Sequence, residues 1–140
     1  MLDHVSEEQR TLSDSIAKLP CAIEFPASAG EALEKRTTLT GGDEQRRHPR
    51  FPVPAERRMA ALQYRQTLPA LPRDRQLCKV YTLDLARGGT SFLHAEPLYP
   101  GERMELMFVD GQRRTVDVVR CRRWGRRCFE VGTRFVTNVN

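Results

Sequence analysis

The chain has 140 residues, a formal charge of +5 and a mean hydropathy of −0.56, a length that buries one hydrophobic core and leaves a tail rather than building two cores. Its apolar runs are only a few residues long, against the roughly 20 that a membrane-crossing helix needs. The acidic start "MLDHVSEEQR" lacks a signal-peptide pattern, so a soluble, cytoplasmic protein with no membrane span is expected.

The charge is unevenly spread. Residues 1–45 carry four basic and nine acidic side chains, a net −5, and residues 46–140 carry nineteen and nine, a net +10. Twenty of the 23 cations are Arg, whose planar donor fork suits phosphate oxygens and the acceptor edge of guanine. An anionic, purine-bearing partner fits this composition; a solvated Arg-rich surface is the alternative it leaves open.

Residues 1–43 read as an acidic N-terminal arm, partly disordered or short-helical. "PASAG" and "TTLTGG" are linker-like. Before them, Ser6 and Gln9 have the spacing of a capping box, and Val5, Leu12, Ile16 and Leu19 follow a roughly helical period that stops at Pro20.

From Arg57 the period changes to two. Met59 to Gln66, Leu77 to Leu85 and Thr90 to His94 read as strands, followed by "RMELMFV" and "RRTVDVVRCRRW" around an Asp110-Gly111 turn, with a second turn containing Gly125. In the last strand Phe129, Val131, Thr133 and Phe135 share one face, and Cys128, Glu130, Gly132 and Arg134 the other. Strands with one apolar face and almost no helix after residue 45 predict an all-β, closed antiparallel barrel over 44–140, since an open sheet would leave exposed edges. Alternation alone does not separate a six-stranded barrel from OB-like or SH3-like ones.

Cys21, Cys78, Cys121 and Cys128 form no C-x2-C pair, and His4, His48 and His94 are scattered, so no metal site is expected. Free buried thiols are the default. Cys121 and Cys128 flank "RRWGRR" in a way that lets them face each other across a hairpin.

Two motifs carry chemistry. In "EQRRHPRFPVP", Arg46 and Arg50 lie in a segment that Pro49, Pro52 and Pro54 keep from being helical. Such a stiff segment presents guanidiniums for phosphate, for guanine O6 and N7, or for stacking on a purine. By itself the spacing is weak, because it recurs from Arg122 to Arg126 and from Arg123 to Arg127. In "DLARGGTSF" a strand turns through Gly88-Gly89, glycines that allow positive φ and close approach of a ligand. Asp84 offers a carboxylate that suits the N1–H and exocyclic amine of guanine. From this motif alone an ordinary β-turn with a locally bonded Asp is the stronger reading.

Together, Arg46-Arg47-His48-Pro49-Arg50 and Asp84-Leu85-Ala86-Arg87-Gly88-Gly89 resemble the PilZ family, whose signature is R-x-x-x-R followed on the early barrel strands by [D/N]-x-S-x-x-G. "EVGTRFV" is similar to that family's final strand, and the resemblance spans about residues 44–137. It implies a six-stranded antiparallel barrel that binds cyclic di-GMP on its outer face, where the ligand orders the arginine segment and alters a surface seen by a protein partner. Arg46 and Arg50 would grip guanine and phosphate, Arg47 would add charge, Asp84 would hold a guanine edge, and Ala86, Gly88 and Gly89 would line the loop, with Gly89 keeping it open to the base. The family's Ser is Ala86 here. Gln45 leaves open whether one nucleotide or an intercalated pair is held; Arg47 and Arg87 favour the more anionic pair.

No catalytic residues, no enzyme activity and no cofactor are expected, because no nucleophile elbow or acid–base carboxylate pair is present. A PilZ-like adaptor that binds a protein without nucleotide is the second expectation, supported by Ala86. DNA or RNA binding is not expected, because stacking surfaces need exposed aromatics and most Phe and Tyr fall on predicted core faces.

Overall fold

The computed structural model describes residues 7–26, 51–52, 58–66 and 77–136. Arg46, Arg47 and Arg50 lie outside these residues. The elements are α1 (Glu7–Ala17), β1 (Phe51–Pro52), β2 (Met59–Gln66), β3 (Cys78–Leu85), β4 (Thr90–His94), β5 (Arg103–Phe108), β6 (Arg113–Gly125) and β7 (Cys128–Phe135). Strands β3, β2, β5, β6, β7 and β4 follow one another in the sheet, and the β3–β4 pairing closes the ring. Every pairing is antiparallel. The result is the closed six-stranded barrel that the alternating pattern and motifs anticipated, with β1 as a short addition alongside β3.

The period-two positions fill the barrel. Leu62, Val80, Phe92, Met104, Leu106, Val116 and Val131 form one buried cluster, and each such side chain contributes about 1.5–3 kcal/mol by leaving water. In β7, Val131 and Phe135 turn inward, whereas Cys128 joins Leu83 and Leu93 in a second cluster on the outer side. Tyr64 and His94 add a polar contact, Oη to Nε2 at 2.7 Å.

That second cluster is covered by the arm. Ile16 of α1 is 2% exposed; beyond the helix, Ile23 packs against Leu83, Leu93 and Cys128. The Lys79 backbone N–H donates to Pro20 O at 2.8 Å, and Lys79 Nζ donates to Ala17 O at 3.0 Å, a cation at the helix C-terminus where the dipole favours it. Glu24 N–H donates to Arg127 O at 3.0 Å, and the Phe25 ring meets Tyr81 edge-on with centroids 5.2 Å apart. The short helix of the two alternatives is therefore present, and the segment after it is strapped to the barrel wall.

Two expectations need correction. Cys121 pairs in register with Val131 and packs on the interior, while Cys128 lies outside, so these thiols do not face each other. All four cysteines are free, and only Cys128 is buried; Cys21 is exposed. The second turn also differs: Arg126 and Arg127 form it, with Arg127 at φ 53°, and Gly125 is the last residue of β6. Gly125 instead makes room for the arm, since a Cβ there would meet Pro26 Cγ at 3.3 Å.

Burial, with smaller effects from Cys21 and Glu96, pushes the Cys78 thiol up from 9.0 to about 11. Because the folded value lies above the unfolded one, this contribution to stability is intact below pH 9 and is lost as pH rises through about 11. Urea midpoints measured across pH 8 to 11 should fall, and Cys78→Ala should flatten that fall. An equal slope in the variant contradicts the assignment.

Candidate functional site

The two residues that follow the first motif in the chain pair with the second at the far end of β3. Phe51 lies opposite Leu85 and Pro52 opposite Asp84, so the chain leaving Arg50 enters the sheet directly beside Asp84. The bridge also brings β1 onto the side of β3 that β2 occupies nearer its start.

A register shift between Thr82 and Asp84 sets the direction of the carboxylate. Thr82 pairs with the interior residue Phe92, and Asp84 pairs with Ser91; a bulge of this kind re-aims a side chain. Ser91 Oγ donates to Asp84 Oδ1 at 2.7 Å, and Thr90 Oγ1 donates to Asp84 O at 2.7 Å. Asp84 is only 6% exposed.

The turn is closed by Ala86 N–H donating to Gly89 O at 2.9 Å. Arg87 and Gly88 are exposed at its tip. Phe135 N–H donates to Gly88 O at 2.8 Å, tying the loop to the end of β7. The positive-φ glycines among the described residues are Gly101 and Gly111, so the expected positive φ is absent at Gly88 and Gly89. What Gly89 provides is space: a Cβ there would collide with the carbonyl oxygen of Thr133. The protein's own backbone thus takes the close approach that the sequence reading reserved for a ligand.

The registers align a row of residues on the outer side of the sheet, in which Asp84, Ser91 and Gly132 are buried and Arg120 is exposed. Asp84 faces Ser91 across β3–β4, Ser91 faces Gly132 across β4–β7, and Gly132 faces Arg120 across β7–β6. A second shift, between Val118 and Arg120, lets Val118 and Cys121 both serve the interior while Arg120 faces outward. Ser91, Gly132 and Arg120 were not singled out from the sequence, because their membership depends on two bulges that leave no trace in the alternation. Their signal was weak: an outward glycine in a strand, which marks a place where something approaches closely.

Most neighbouring charges are engaged. Arg122 Nη2 and Trp124 Nε1 both donate to Glu130 Oε1, at 3.3 and 2.9 Å. Arg103 Nε donates to Asp117 Oδ1 at 2.7 Å, and this contact, helped by the charges of Arg103 and Arg134, holds the Asp117 carboxyl below the usual carboxylate range. Asp117, Arg103, Arg134, Gly101 and Val119 line an open groove of about 390 Å³. Among the described residues there is no group of three or more His, Cys, Asp or Glu that could hold a metal ion, and no helix long and apolar enough to cross a membrane.

The fold and this row define a class: a small closed antiparallel barrel with Asp84, Ser91, Gly132 and Arg120 in a row along the outer side of its wall. No family model matches the chain, and no curated protein matches it.

Proposed function

We propose that the protein is a non-enzymatic cytoplasmic receptor of the PilZ type that binds cyclic di-GMP on the outer face of the barrel. The observation that carries the reading is the β1–β3 bridge, in which Phe51 and Pro52, the residues next in the chain after Arg50, pair with Leu85 and Asp84. Arg46 and Arg50 supply charge-assisted hydrogen bonds to phosphate and guanine, Arg47 adds to the field, and Asp84 accepts from a guanine Watson–Crick edge. Arg87, Gly88 and Gly89 form the rim of the loop. Ligand charge then holds the arginine segment against the barrel and changes the surface offered to a protein partner.

Calorimetric titration of the full chain with cyclic di-GMP tests this reading. Saturable heat at micromolar ligand, absent with cyclic di-AMP, is the expected result; no heat at tens of micromolar ligand overturns it. Restoring the hydroxyl by Ala86→Ser should tighten binding about twofold to tenfold, since a neutral hydrogen bond contributes about 0.5–1.5 kcal/mol. Unchanged affinity would show that position 86 does not touch the ligand.

The burial of Asp84 and its bond to Ser91 Oγ favour one second reading. There Asp84 is a structural residue of the β3–β4 hairpin, and the barrel is an adaptor that recognises a protein without nucleotide. A folded chain that gives no heat with cyclic di-GMP, and whose melting temperature the nucleotide leaves unchanged, supports the adaptor.

A further inference from the structure

Arg120 is built into place by two departures from regular strand geometry. The shift between Val118 and Arg120 turns it outward, and Gly132 on the adjacent strand leaves the space in which it lies. A Cβ on Gly132 would come within 2.9 Å of both Cγ and Nε of Arg120. The side chain is therefore laid over β7 toward β4, along the row that ends at Ser91 and Asp84.

Four nearby arginines, on β6, on β7 and in the turn between them, lie near carboxylates. Arg122 bonds Glu130, Arg134 lies 3.9 Å from Asp117, and Arg126 and Arg127 lie 3.9 and 3.6 Å from Glu24. Among the described residues, the Arg120 guanidinium has no ion-pair or hydrogen-bond partner. The Arg120 stem lies over Gly132 and its head is exposed, so the guanidinium is open to an anion from solvent.

We propose that Arg120 is a further arginine of the nucleotide site, contacting a phosphate on the rim opposite Asp84; this rests on the receptor reading given above. Three interstrand spacings separate the two residues, roughly 14 Å along the sheet, and the Arg120 side chain spans part of that distance back over Gly132. Asp84, Ser91 and Gly132 are buried and Arg120 is exposed, so an anion meets the guanidinium from the solvent side, at the open end of that row. Gly132 is a positioning residue: its lack of a side chain holds Arg120 on the line.

The test is titration of the full chain with cyclic di-GMP at several salt concentrations. Arg120→Ala should weaken binding about tenfold or more, as loss of a charge-assisted hydrogen bond requires, and should make affinity less salt-dependent. Arg120→Lys should recover part of the affinity, because a phosphate accepts a point charge. Arg126→Ala, which removes a cation outside the row, should bind as the parent does. Gly132→Ala should also weaken binding, and combining it with Arg120→Ala should add nothing further. Equal affinity of Arg120→Ala and the parent overturns the proposal while leaving the receptor reading intact. A parent chain that does not bind overturns both.

Discussion

Replacing Gly89 by alanine is expected to destabilise the barrel by about 3 kcal/mol, the upper part of the usual range for forcing extra atoms into packed structure. The new Cβ would meet the carbonyl oxygen of Thr133 and, at 3.0 Å, the Cα of Arg134. Both are backbone atoms of β7, so no side chain can swing aside to relieve the clash. The strand cannot retreat without loosening Phe135 N–H from Gly88 O and Thr133 Oγ1–H from Thr90 O, which hold the hairpin against β7. Valine in place of alanine should leave little folded protein at 37 °C. Urea unfolding followed by far-UV circular dichroism checks the loss. A Gly89→Ala chain as stable as the parent would mean that the two backbones are not in close contact.

The second large effect is on binding. The double substitution Arg46→Ala, Arg50→Ala should abolish detectable cyclic di-GMP binding, a loss of about a hundredfold or more. Each guanidinium contributes a charge-assisted bond of about 1.5–3 kcal/mol, and each 1.4 kcal/mol is tenfold in affinity. Stability should change little, because the β1 ladder uses the backbone of Phe51–Pro52 and not these side chains. Calorimetry against the parent, with thermal melting as the control, reads both quantities. A double variant that binds with parental affinity removes the arginine segment from the site, whatever happens at Asp84.

Much of the barrel was legible because its strands alternate cleanly. Met104 and Leu106 in β5 lie two residues apart, Val131 and Phe135 in β7 lie four apart on the same alternating face, and each proves to face the interior. The turn from Asp84 to Gly89 was legible for the same reason, since it interrupts two such runs. Less could be read where register slips. The bulges at Thr82/Asp84 and Val118/Arg120 send Asp84 and Arg120 to the outer face, and no periodicity encodes them. Gly89 was read as a turn residue with conformational freedom and Gly125 as part of the second turn, yet at each another segment crosses where a side chain would be. The docking of Ile23 and Phe25 was equally hidden. Two apolar residues in a short non-repeating stretch give no sign of which surface they cover, and here it is the outer cluster of Leu83, Leu93 and Cys128 with the ring of Tyr81 beside it.

This placement of the arm links the two ends of the account. Ile23 covers Leu83 and Leu93, the immediate chain neighbours of Asp84 and, through Phe92, of Ser91. The arm is thus packed next to the residues that flank Asp84.

The most direct measurement of the central claim is a two-dimensional NMR titration of the labelled chain with cyclic di-GMP. The predicted result is that amide shifts concentrate at Arg46–Arg50, at Asp84–Ser91, and across the wall at Gly132 and Arg120, with the interior of β5 unmoved. Shifts confined to other surfaces, or a spectrum that the nucleotide leaves unchanged, would contradict it.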